Sequence, residues 1–232
     1  MIEKVLSKRL SAAAAFVPSG TKVCDVGADH AALSLYLLKK EIANTVIVSD
    51  IHPLPLERAR LAIESEGLEH RAHFCLADGV LPLLEYRPDC FVIAGMGGET
   101  IAGMLSVPQS RFFGCRFILQ PMTKIPELRR LLAQKGYDLC RETAVEENGR
   151  VFVVMDCVYD GSVRSFTPVE YLAGVHHLRS QSPESRAYLL TLCDQLDKRI
   201  SGLKKGGLDC AEQEKIRRQL DQILKGEPYD PS

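Results

Sequence analysis

The sequence predicts an α/β fold in which a mostly parallel, doubly wound sheet is followed by an antiparallel helical hairpin. Strand-like apolar runs alternate with amphipathic helical runs for about five rounds, and several of the strand-like runs end in an acid or a glycine. Near the end of the chain, leucines and isoleucines at helical spacing flank Gly206-Gly207, which predicts two helices joined by a short turn.

The predicted elements follow in order along the chain. Residues 3–17 suit an amphipathic helix that ends at Pro18-Ser19-Gly20. Parallel strands are predicted at 21–27, 44–50, 71–78, 89–98 and 116–122, with helices at 30–40, 57–67 and 126–137. Residues 137–159 hold two apolar runs around Asn148-Gly149, a dipeptide typical of β-hairpins. Ligands of such sheets bind at the carboxyl ends of the strands.

The composition describes an ordinary globular protein. The chain has 232 residues, 46% of them apolar and 25% charged, with a formal net charge of -1, so nothing in the overall charge indicates a nucleic-acid partner. No run reaches transmembrane length, and the 8 cysteines show no zinc-binding spacing. We therefore expect a cytoplasmic protein with reduced thiols, without a metal or a membrane partner. A monomer is assumed.

The composition changes near Val163, which predicts two domains. Residues 1–163 would form the sheet domain. Residues 164–232 would form a helical domain with helices at 182–205 and 212–225, and its basic and acidic residues are nearly equal in number.

The first strand ends in CDVGADHAALS, residues 24–34, where a single glycine stands in place of the glycine-rich turn of dinucleotide-binding folds. A pyrophosphate needs successive glycines at a helix N-terminus, and Asp29 would repel it. A Walker phosphate loop is absent from the sequence. S-adenosylmethionine has no phosphate and carries a cationic sulfonium, so this loop favours it over a dinucleotide or a mononucleotide.

Acids also end the next two strands. Asp50 is placed to accept hydrogen bonds from ribose hydroxyls, and Asp78 is placed to accept one from an adenine amino group. Each acid alone has a structural alternative as a helix cap or a turn residue. The repetition at Asp25, Asp50 and Asp78 favours a cofactor site.

The fourth strand ends in AGMGGETI, where three glycines surround Met96 and Thr100 supplies a hydroxyl. The segment lacks the Asn/Asp-Pro-Pro-aromatic element that grips an exocyclic amine in many amino-methylating enzymes. It therefore suits a planar base whose ring nitrogen accepts the methyl group. The alternative is that the glycines only form a tight strand-to-helix turn.

Together, DVGADHAALSLYLL, SDIHPLPLERAR, LADGVLPL, AGMGGETI and ILQPM resemble the bacterial TrmK type of tRNA (adenine-22-N1)-methyltransferase. The resemblance covers essentially the whole chain. It implies a Rossmann-like class I methyltransferase domain that binds S-adenosylmethionine and a coiled-coil-like C-terminal helical domain. The implied reaction is methylation of N1 of an adenine in the D-arm of tRNA.

The resemblance also implies roles for individual residues. Gly27, Asp29 and His30 would line the methionine end of the cofactor, and Arg9 would meet its carboxylate, although Arg9 also suits a solvated helix face. The full set of predicted cofactor residues is Arg9, Asp25, Gly27, Ala28, Asp29, His30, Asp50, Ile51, Asp78, Gly79, Gly95 and Met96.

Asp29 is the predicted catalytic residue. Adenine N1 has its own lone pair and needs no general base, but its ring becomes positively charged, and a carboxylate would stabilise that charge. His30 is then structural or in contact with the cofactor. The predicted substrate residues are Gly97, Gly98, Gln120, Pro121, Lys198, Arg199, Lys204, Lys205, Arg217 and Arg218. For the last six, a solvated helical face is the alternative.

Other functions remain open from the sequence. The chain could methylate another RNA, a protein or a small molecule, or it could bind tRNA through a module whose cofactor pocket is not catalytic. A nicotinamide-dependent oxidoreductase is disfavoured by the missing glycines. Fold alone does not decide among these functions.

Overall fold

The computed structural model describes residues 6–106 and 109–230, except for the side chains of Asp29 and Gln109. The strands are β1 (Thr21–Val26), β2 (Ala43–Asp50), β3 (Ala72–Leu76), β4 (Cys90–Met96), β5 (Arg116–Pro121), β6 (Tyr137–Glu147) and β7 (Arg150–Tyr159). The helices are α1 (Lys8–Phe16), α2 (Ala32–Lys39), α3 (Pro53–Glu64), α4 (Gly98–Leu105), α5 (Ile125–Lys135), α6 (Pro168–Ala173), α7 (Val175–Arg179), α8 (Pro183–Lys205) and α9 (Ala211–Leu224).

The strands form a sheet in the order β3-β2-β1-β4-β5-β7-β6. Strands β1 to β5 pair in parallel, whereas β7 is antiparallel to both β5 and β6. This arrangement confirms the predicted doubly wound α/β sheet. Because the parallel strands run in one direction, the loops after β1, β2, β3 and β4 lie at the same edge.

Apolar layers cover both faces of the sheet. Val46 and Val48 of β2 pack in the layer beneath α1, α2 and α3, whereas Ile47 between them packs in the opposite layer. That opposite layer includes the stacked rings of Phe91 and Phe117 and the apolar residues of α4 to α9. Strands buried on both faces are typical of parallel sheets, which explains their continuous apolar runs in the sequence.

The β6–β7 hairpin turns at Asn148 and Gly149, whose φ angles are 53° and 72°. Glu147 pairs with Arg150 across this two-residue loop. Positive φ at both central positions is the requirement of a type I′ turn, and Asn-Gly meets it with little strain. The predicted hairpin is confirmed.

The two predicted C-terminal helices correspond to α8 and α9, which are joined through Gly206-Gly207. The short helices α6 and α7 were not predicted, because runs of 6 and 5 residues show no clear helical period. The capping box of Thr167 and Glu170 at the start of α6 is a sequence signal that would have located it. In the predicted N-terminal helix, residues 3–5 lie outside the described residues.

The division of the chain at residue 163 stays a prediction. Leu189 and Leu192 of α8 and Leu220 of α9 belong to the same apolar layer as the strand residues Phe91 and Phe117. The C-terminal helices therefore complete one face of the sheet.

Within residues 6–106 and 109–230, no helix combines the length and apolar character needed to cross a bilayer. The same ranges contain no group of three or more His, Cys, Asp or Glu side chains that would hold a metal ion. Burial raises the pKa of the Cys90 thiol to about 12, so this cysteine is a protonated core residue at neutral pH.

A buried ion pair joins the C-terminal helices to the sheet. Arg129 of α5 is 3% exposed; its Nε donates to Oε1 of Glu142 on β6 at 2.9 Å, and its Nη2 lies 2.8 Å from the same oxygen. Its Nη1 donates to the carbonyl oxygens of Tyr171 and Leu172 at the end of α6. A Cβ at Gly174 would overlap the Glu142 carboxylate, so the segment after α6 approaches the pair as only glycine permits.

Replacing Arg129 with methionine should lower the free energy of unfolding by about 3–5 kcal/mol, because Glu142 is left buried without its partner. Urea denaturation followed by circular dichroism measures this loss. The double variant Arg129→Met/Glu142→Leu removes both charges and should recover much of it. A loss below about 1 kcal/mol in the single variant would show that the pair does not anchor the helices.

Candidate active site

A cleft of about 280 Å³ opens at the carboxyl ends of β1, β2, β3 and β4. The described residues that line it are Val26, Gly27, Ser49, Asp50, Ile51, Ala77, Asp78, Gly79, Met96, Thr100 and Met104. This lining holds two carboxylates and no lysine or arginine. Its charge suits a neutral or cationic ligand and disfavours a phosphate.

A larger pocket of about 450 Å³ lies between the start of α6, α9 and the C-terminal residues. No described strand contributes to its lining, and its hydroxyls on Thr167 and Tyr229 lie within hydrogen-bonding distance of each other at 3.3 Å. We place the candidate active site in the smaller cleft, because ligands of open α/β sheets bind at the carboxyl ends of the strands.

Gly27 turns the chain out of β1 with a φ of 70°. Its amide donates to the carbonyl oxygen of Ser49 on β2 at 2.8 Å, and the amide of Ala28 donates to the same oxygen at 3.2 Å. A Cβ on Gly27 would overlap Cε of Met96, whose side chain crosses from β4. The glycine therefore permits both the turn and the close approach of the first and fourth strand ends.

The loop then passes through two strained residues. His30 and Ala31 have φ angles of 59° and 51°, a region that non-glycine residues rarely adopt. They lie in a short 3₁₀ turn that begins at Asp29 and leads into α2. Such strain often accompanies functional loops. The Asp29 side chain lies outside the described part of the structure, so its catalytic role stays a prediction.

Asp25 lies beneath this loop, outside the cleft lining, and is 5% exposed. Its Oδ2 accepts a hydrogen bond from Oγ of Ser34, in the first turn of α2, at 2.7 Å. Burial raises the pKa of the Asp25 carboxyl to about 6, although hydrogen bonds from Ser34 oppose the rise. Asp25 therefore ties β1 to the start of α2, and its predicted contact with a cofactor stays a prediction.

Asp50 and Asp78 both line the cleft, as the strand-end pattern predicted. Oδ1 of Asp50 accepts a hydrogen bond from the amide of His52 at 2.8 Å, which orients the carboxylate at the end of β2. Asp78 is exposed, and Gly79 after it has a φ of 77°. Ile51 is 53% exposed at the rim of the cleft.

Gly95 interrupts the pairing of β4 with β5. Ala94 pairs with Gln120 and Met96 pairs with Pro121, so Gly95 is the extra residue of a β-bulge. Its φ is 78°, a conformation that favours glycine. The bulge sets the position of the next side chain, Met96, in the cleft.

Gly97 and Gly98 form the turn from β4 into α4. Gly97 is the N-cap of α4, and the amide of Gly98 donates to the carbonyl oxygen of Thr123 at 2.9 Å. A Cβ on Gly98 would lie 2.7 Å from the carbonyl oxygen of Lys124. The geometry of this turn explains why glycine stands at both positions. A substrate contact by either residue stays a prediction.

Gln120 lies beneath the bulge and is fully buried. Its Oε1 accepts hydrogen bonds from the Gly95 amide at 3.1 Å and from Nη1 of Arg9 at 2.8 Å. The Arg9 amide donates to Oε2 of Glu147, at the tip of the β6–β7 hairpin, at 3.0 Å. Arg9 is not among the described residues that line the cleft, and Pro121, the residue after Gln120, is buried.

The predicted cations of α8 and α9 are separate from this cleft, since none of them lines it. Arg217 pairs with Asp197 at 2.9 Å and with Asp221 at 2.6 Å, and Lys204 pairs with Glu214 at 2.7 Å. The others, all exposed, are Lys198, Arg199, Lys205 and Arg218. Their contact with a substrate stays a prediction.

Two residues of α4 complete the cleft. Thr100 and Met104 lie four positions apart on one face of the helix, and both line the cleft. Sequence reasoning treated Thr100 only as a nearby hydroxyl and missed Met104, because α4 itself was not predicted. The i, i+4 spacing that follows Gly97-Gly98 is the signal that would have located it.

The methyltransferase domain family matches residues 6–155 of this chain. The tRNA (adenine(22)-N(1))-methyltransferase of Bacillus subtilis strain 168 is 33% identical over 169 residues, which make up 69% of this chain and 71% of the relative.

Solved structures share the fold. Streptococcus pneumoniae Sp1610 in complex with S-adenosyl-L-methionine has a TM-score of 0.82 and 24% identity, and the match covers 95% of this chain and 100% of that one. M. capricolum TrmK in complex with S-adenosyl-homocysteine has a TM-score of 0.77 and 21% identity, with coverages of 95% and 96%. The shared fold therefore includes the C-terminal helices.

The raised pKa of Asp25 predicts a pH-dependent stability difference. Since the folded pKa of about 6 lies above the ordinary 3.8, the stability contributed by the protonated acid is lost as the pH rises through this window. Asp25→Asn has no proton to lose. The free energy of unfolding of this variant, relative to that of the wild type, should therefore increase by about 1–3 kcal/mol between pH 4 and 7.

Urea denaturation at a series of pH values measures this difference. Ser34→Ala removes a hydrogen bond that lowers the pKa and should extend the window to higher pH. A stability difference between Asp25→Asn and the wild type that stays constant from pH 4 to 7 would contradict the prediction.

Proposed function

This chain belongs to the methyltransferase domain family and, within it, to the tRNA (adenine(22)-N(1))-methyltransferases, and we propose that it methylates N1 of adenine 22 in the D-arm of tRNA. The family predicted from the sequence motifs is thereby confirmed. The reaction is methyl transfer, and the cofactor is S-adenosylmethionine.

The charge of the cleft is the observation that best supports this cofactor. Asp50 and Asp78 face a space whose described lining contains no lysine or arginine. A cofactor with a phosphate would meet two carboxylates there and no compensating cation. S-adenosylmethionine carries a sulfonium and ribose hydroxyls instead, and both are compatible with carboxylates.

We place the cofactor along the ends of β1, β2 and β3. Asp50 would accept hydrogen bonds from the ribose hydroxyls, with Ile51 against the sugar, and Asp78 and Gly79 would hold the adenine. The loop from Gly27 through Ala28 to His30 would surround the methionine end. Met96 would then separate the cofactor from the slot for the acceptor base.

The chain contributes position and charge to the reaction. When bound, the cofactor would supply an electrophilic methyl group to N1 of adenine: the nitrogen–carbon bond forms as the carbon–sulfur bond breaks, S-adenosylhomocysteine leaves as a neutral thioether, and the positive charge passes to the purine ring. No proton has to be removed from N1, so His30 is not required as a base. The bulge at Gly95 and the side chain of Met96 would hold the base in line with the methyl group.

We assign Asp29 to the stabilisation of the ring cation. Its backbone begins the strained turn between Gly27 and α2, beside the cleft. A carboxylate at this position would gain interaction energy as positive charge develops on the purine, and it would keep the base oriented.

N1 lies on the Watson–Crick edge, so the target adenine must leave its stacked position at a cost of a few kcal/mol. Additional RNA contacts are needed to offset this cost. We propose that Gly97, Gly98, Gln120 and Pro121 lie near the base and that the helical domain, residues 164–232, contacts the tRNA. Its contact residues would be Lys198, Arg199, Lys204, Lys205, Arg217 and Arg218. A tRNA substrate also fits the proposed cytoplasmic location.

The test is transfer of labelled methyl from S-adenosylmethionine to a full-length tRNA with adenine at position 22, beside the same tRNA with guanine there. Label in the adenine-containing tRNA alone supports the reaction and the base. Label in neither, with cofactor binding intact, would overturn the tRNA substrate. Equal labelling of both would overturn the choice of base.

Substitution of Asp29 separates charge stabilisation from folding. Asp29→Ala and Asp29→Asn should each lower kcat by about 10²–10³ while leaving the dissociation constant of S-adenosylmethionine nearly unchanged, because both variants remove the carboxylate charge. Single-turnover kinetics, calorimetric titration and thermal unfolding measure these effects. Activity of Asp29→Asn close to that of the wild type, or equal loss of stability and activity, would contradict the assignment.

A further inference from the structure

The carboxyl edge of the sheet has two halves. The described lining of the cofactor cleft comes from the ends of β1, β2 and β4, the residues that follow β1, β2 and β3, and α4. In the strand order, β5, β7 and β6 follow on the far side of β4. If the cofactor occupies the first half, the base that attacks its methyl group must approach over the second. The side chains of this second half are therefore candidates for contact with the acceptor nucleotide.

Arg9 of α1 lies in this second half. Its Nη1 donates to Oε1 of Gln120 on β5 at 2.8 Å and lies 3.4 Å from the position that a Cβ on Gly95 would occupy. The guanidinium therefore packs directly on the bulge. Met96, the next residue after Gly95, lines the cofactor cleft.

The hairpin holds Arg9 from the other side. The β6–β7 pairing continues past the last pair of β5 with β7, to the tip of the hairpin. There, Oε2 of Glu147 accepts a hydrogen bond from the amide of Arg9 at 3.0 Å. Oε1 of Glu147 lies 3.6 Å from Nε of Arg9, and the ring of Phe152 lies 5.9 Å from Cζ. The Arg9 side chain remains 26% exposed, and Nη2 has no hydrogen-bond partner among the described residues.

We propose that Arg9 binds a phosphate that flanks the target adenine and that Gln120 is the positioning residue that holds Arg9 and the bulge in place. This proposal rests on the proposed function and replaces the contact with the cofactor carboxylate predicted from the sequence. A fork-shaped guanidinium fixed by Gln120 and Glu147 keeps Nη2 available for phosphate, its common partner in RNA recognition.

The buried side-chain amide of Gln120 holds both the bulge at Gly95 and the guanidinium of Arg9. A single oxygen, Oε1, accepts from the Gly95 amide and from Arg9, so removal of this oxygen releases the bulge and the guanidinium together. The base and its phosphate would then be positioned less accurately against the methyl group. Binding of the cofactor to the other half of the edge does not depend on this oxygen.

The experiment pairs Arg9→Met with a chemically altered tRNA. A neutral methylphosphonate replaces either phosphate that flanks adenine 22, and kcat/KM is measured for wild type and variant with each tRNA. At one of the two positions the neutral linkage should lower kcat/KM of the wild type about tenfold and have little further effect on Arg9→Met, because the contact is already lost. Additive losses at both positions would overturn the proposal.

Matched variants separate this contact from general charge effects. Lys8→Met removes the same charge one residue away, from a side chain that lines a groove between α1, the hairpin and α8, and it should change kcat/KM less than about threefold. Arg9→Met should also lower the slope of log KM for tRNA against log salt concentration by about one unit. An equal effect of Lys8→Met would overturn the specific role of Arg9.

Cofactor binding decides between the two roles of Arg9. The dissociation constant of S-adenosylmethionine, measured by calorimetric titration, should change less than about twofold in Arg9→Met and in Gln120→Leu, while kcat with tRNA falls in Gln120→Leu. A tenfold weakening of cofactor binding in Arg9→Met would return Arg9 to the cofactor carboxylate. If the wild type methylates no tRNA, the proposed function fails as well.

Discussion

The parallel pairing of β1 with β2 on one side and β4 on the other determines where the candidate site lies. Asp50, the last residue of β2, pairs with Leu76 at the end of β3, so this acid and the acid that follows β3 meet at one edge although the chain between them forms a helix. An antiparallel arrangement would send alternate strand ends to opposite edges. The acids, the glycine turns and the cleft all depend on this shared direction.

This edge is crowded, and small residues resolve the crowding. Gly27 leaves room for the Met96 side chain, and Gly98 leaves room for the carbonyl groups of Thr123 and Lys124 in the loop after β5. Beneath them, the buried carboxyl of Asp25 is held by Ser34. Burial raises the pKa of this carboxyl to about 6, so ionisation of Asp25 at neutral pH costs stability, and the hydrogen bonds from Ser34 offset part of that cost.

The C-terminal helices are joined to the sheet by packing and by charge. Their apolar residues belong to one of the two layers that cover the sheet, and Arg129 connects α5, β6 and the end of α6 in a buried network. Tyr188 of α8 lies 3.5 Å from the same guanidinium. The helices α8 and α9 therefore pack in the same apolar layer as the strands whose ends form the cleft.

The sequence alone determined the features that depend on local pattern. The alternation of apolar runs predicted the strands, Asn148-Gly149 predicted the hairpin turn, and the strand-end acids Asp50 and Asp78 predicted the cleft. These signals are local, since each depends on residues close together in the chain. The motifs that indicated the family are also short runs of consecutive residues, so they too could be identified from the sequence.

Only the tertiary structure decided the contacts that join distant residues. Arg9 meets Glu147 138 positions away, Arg129 meets Glu142 in the interior, and one oxygen of Gln120 serves both Arg9 and the bulge at Gly95. The sequence likewise did not reveal that Asp25 is buried, or that α4 contributes Met104 to the cleft. Such contacts depend on how helices and strands pack in three dimensions, and residue spacing along the chain carries no record of that packing.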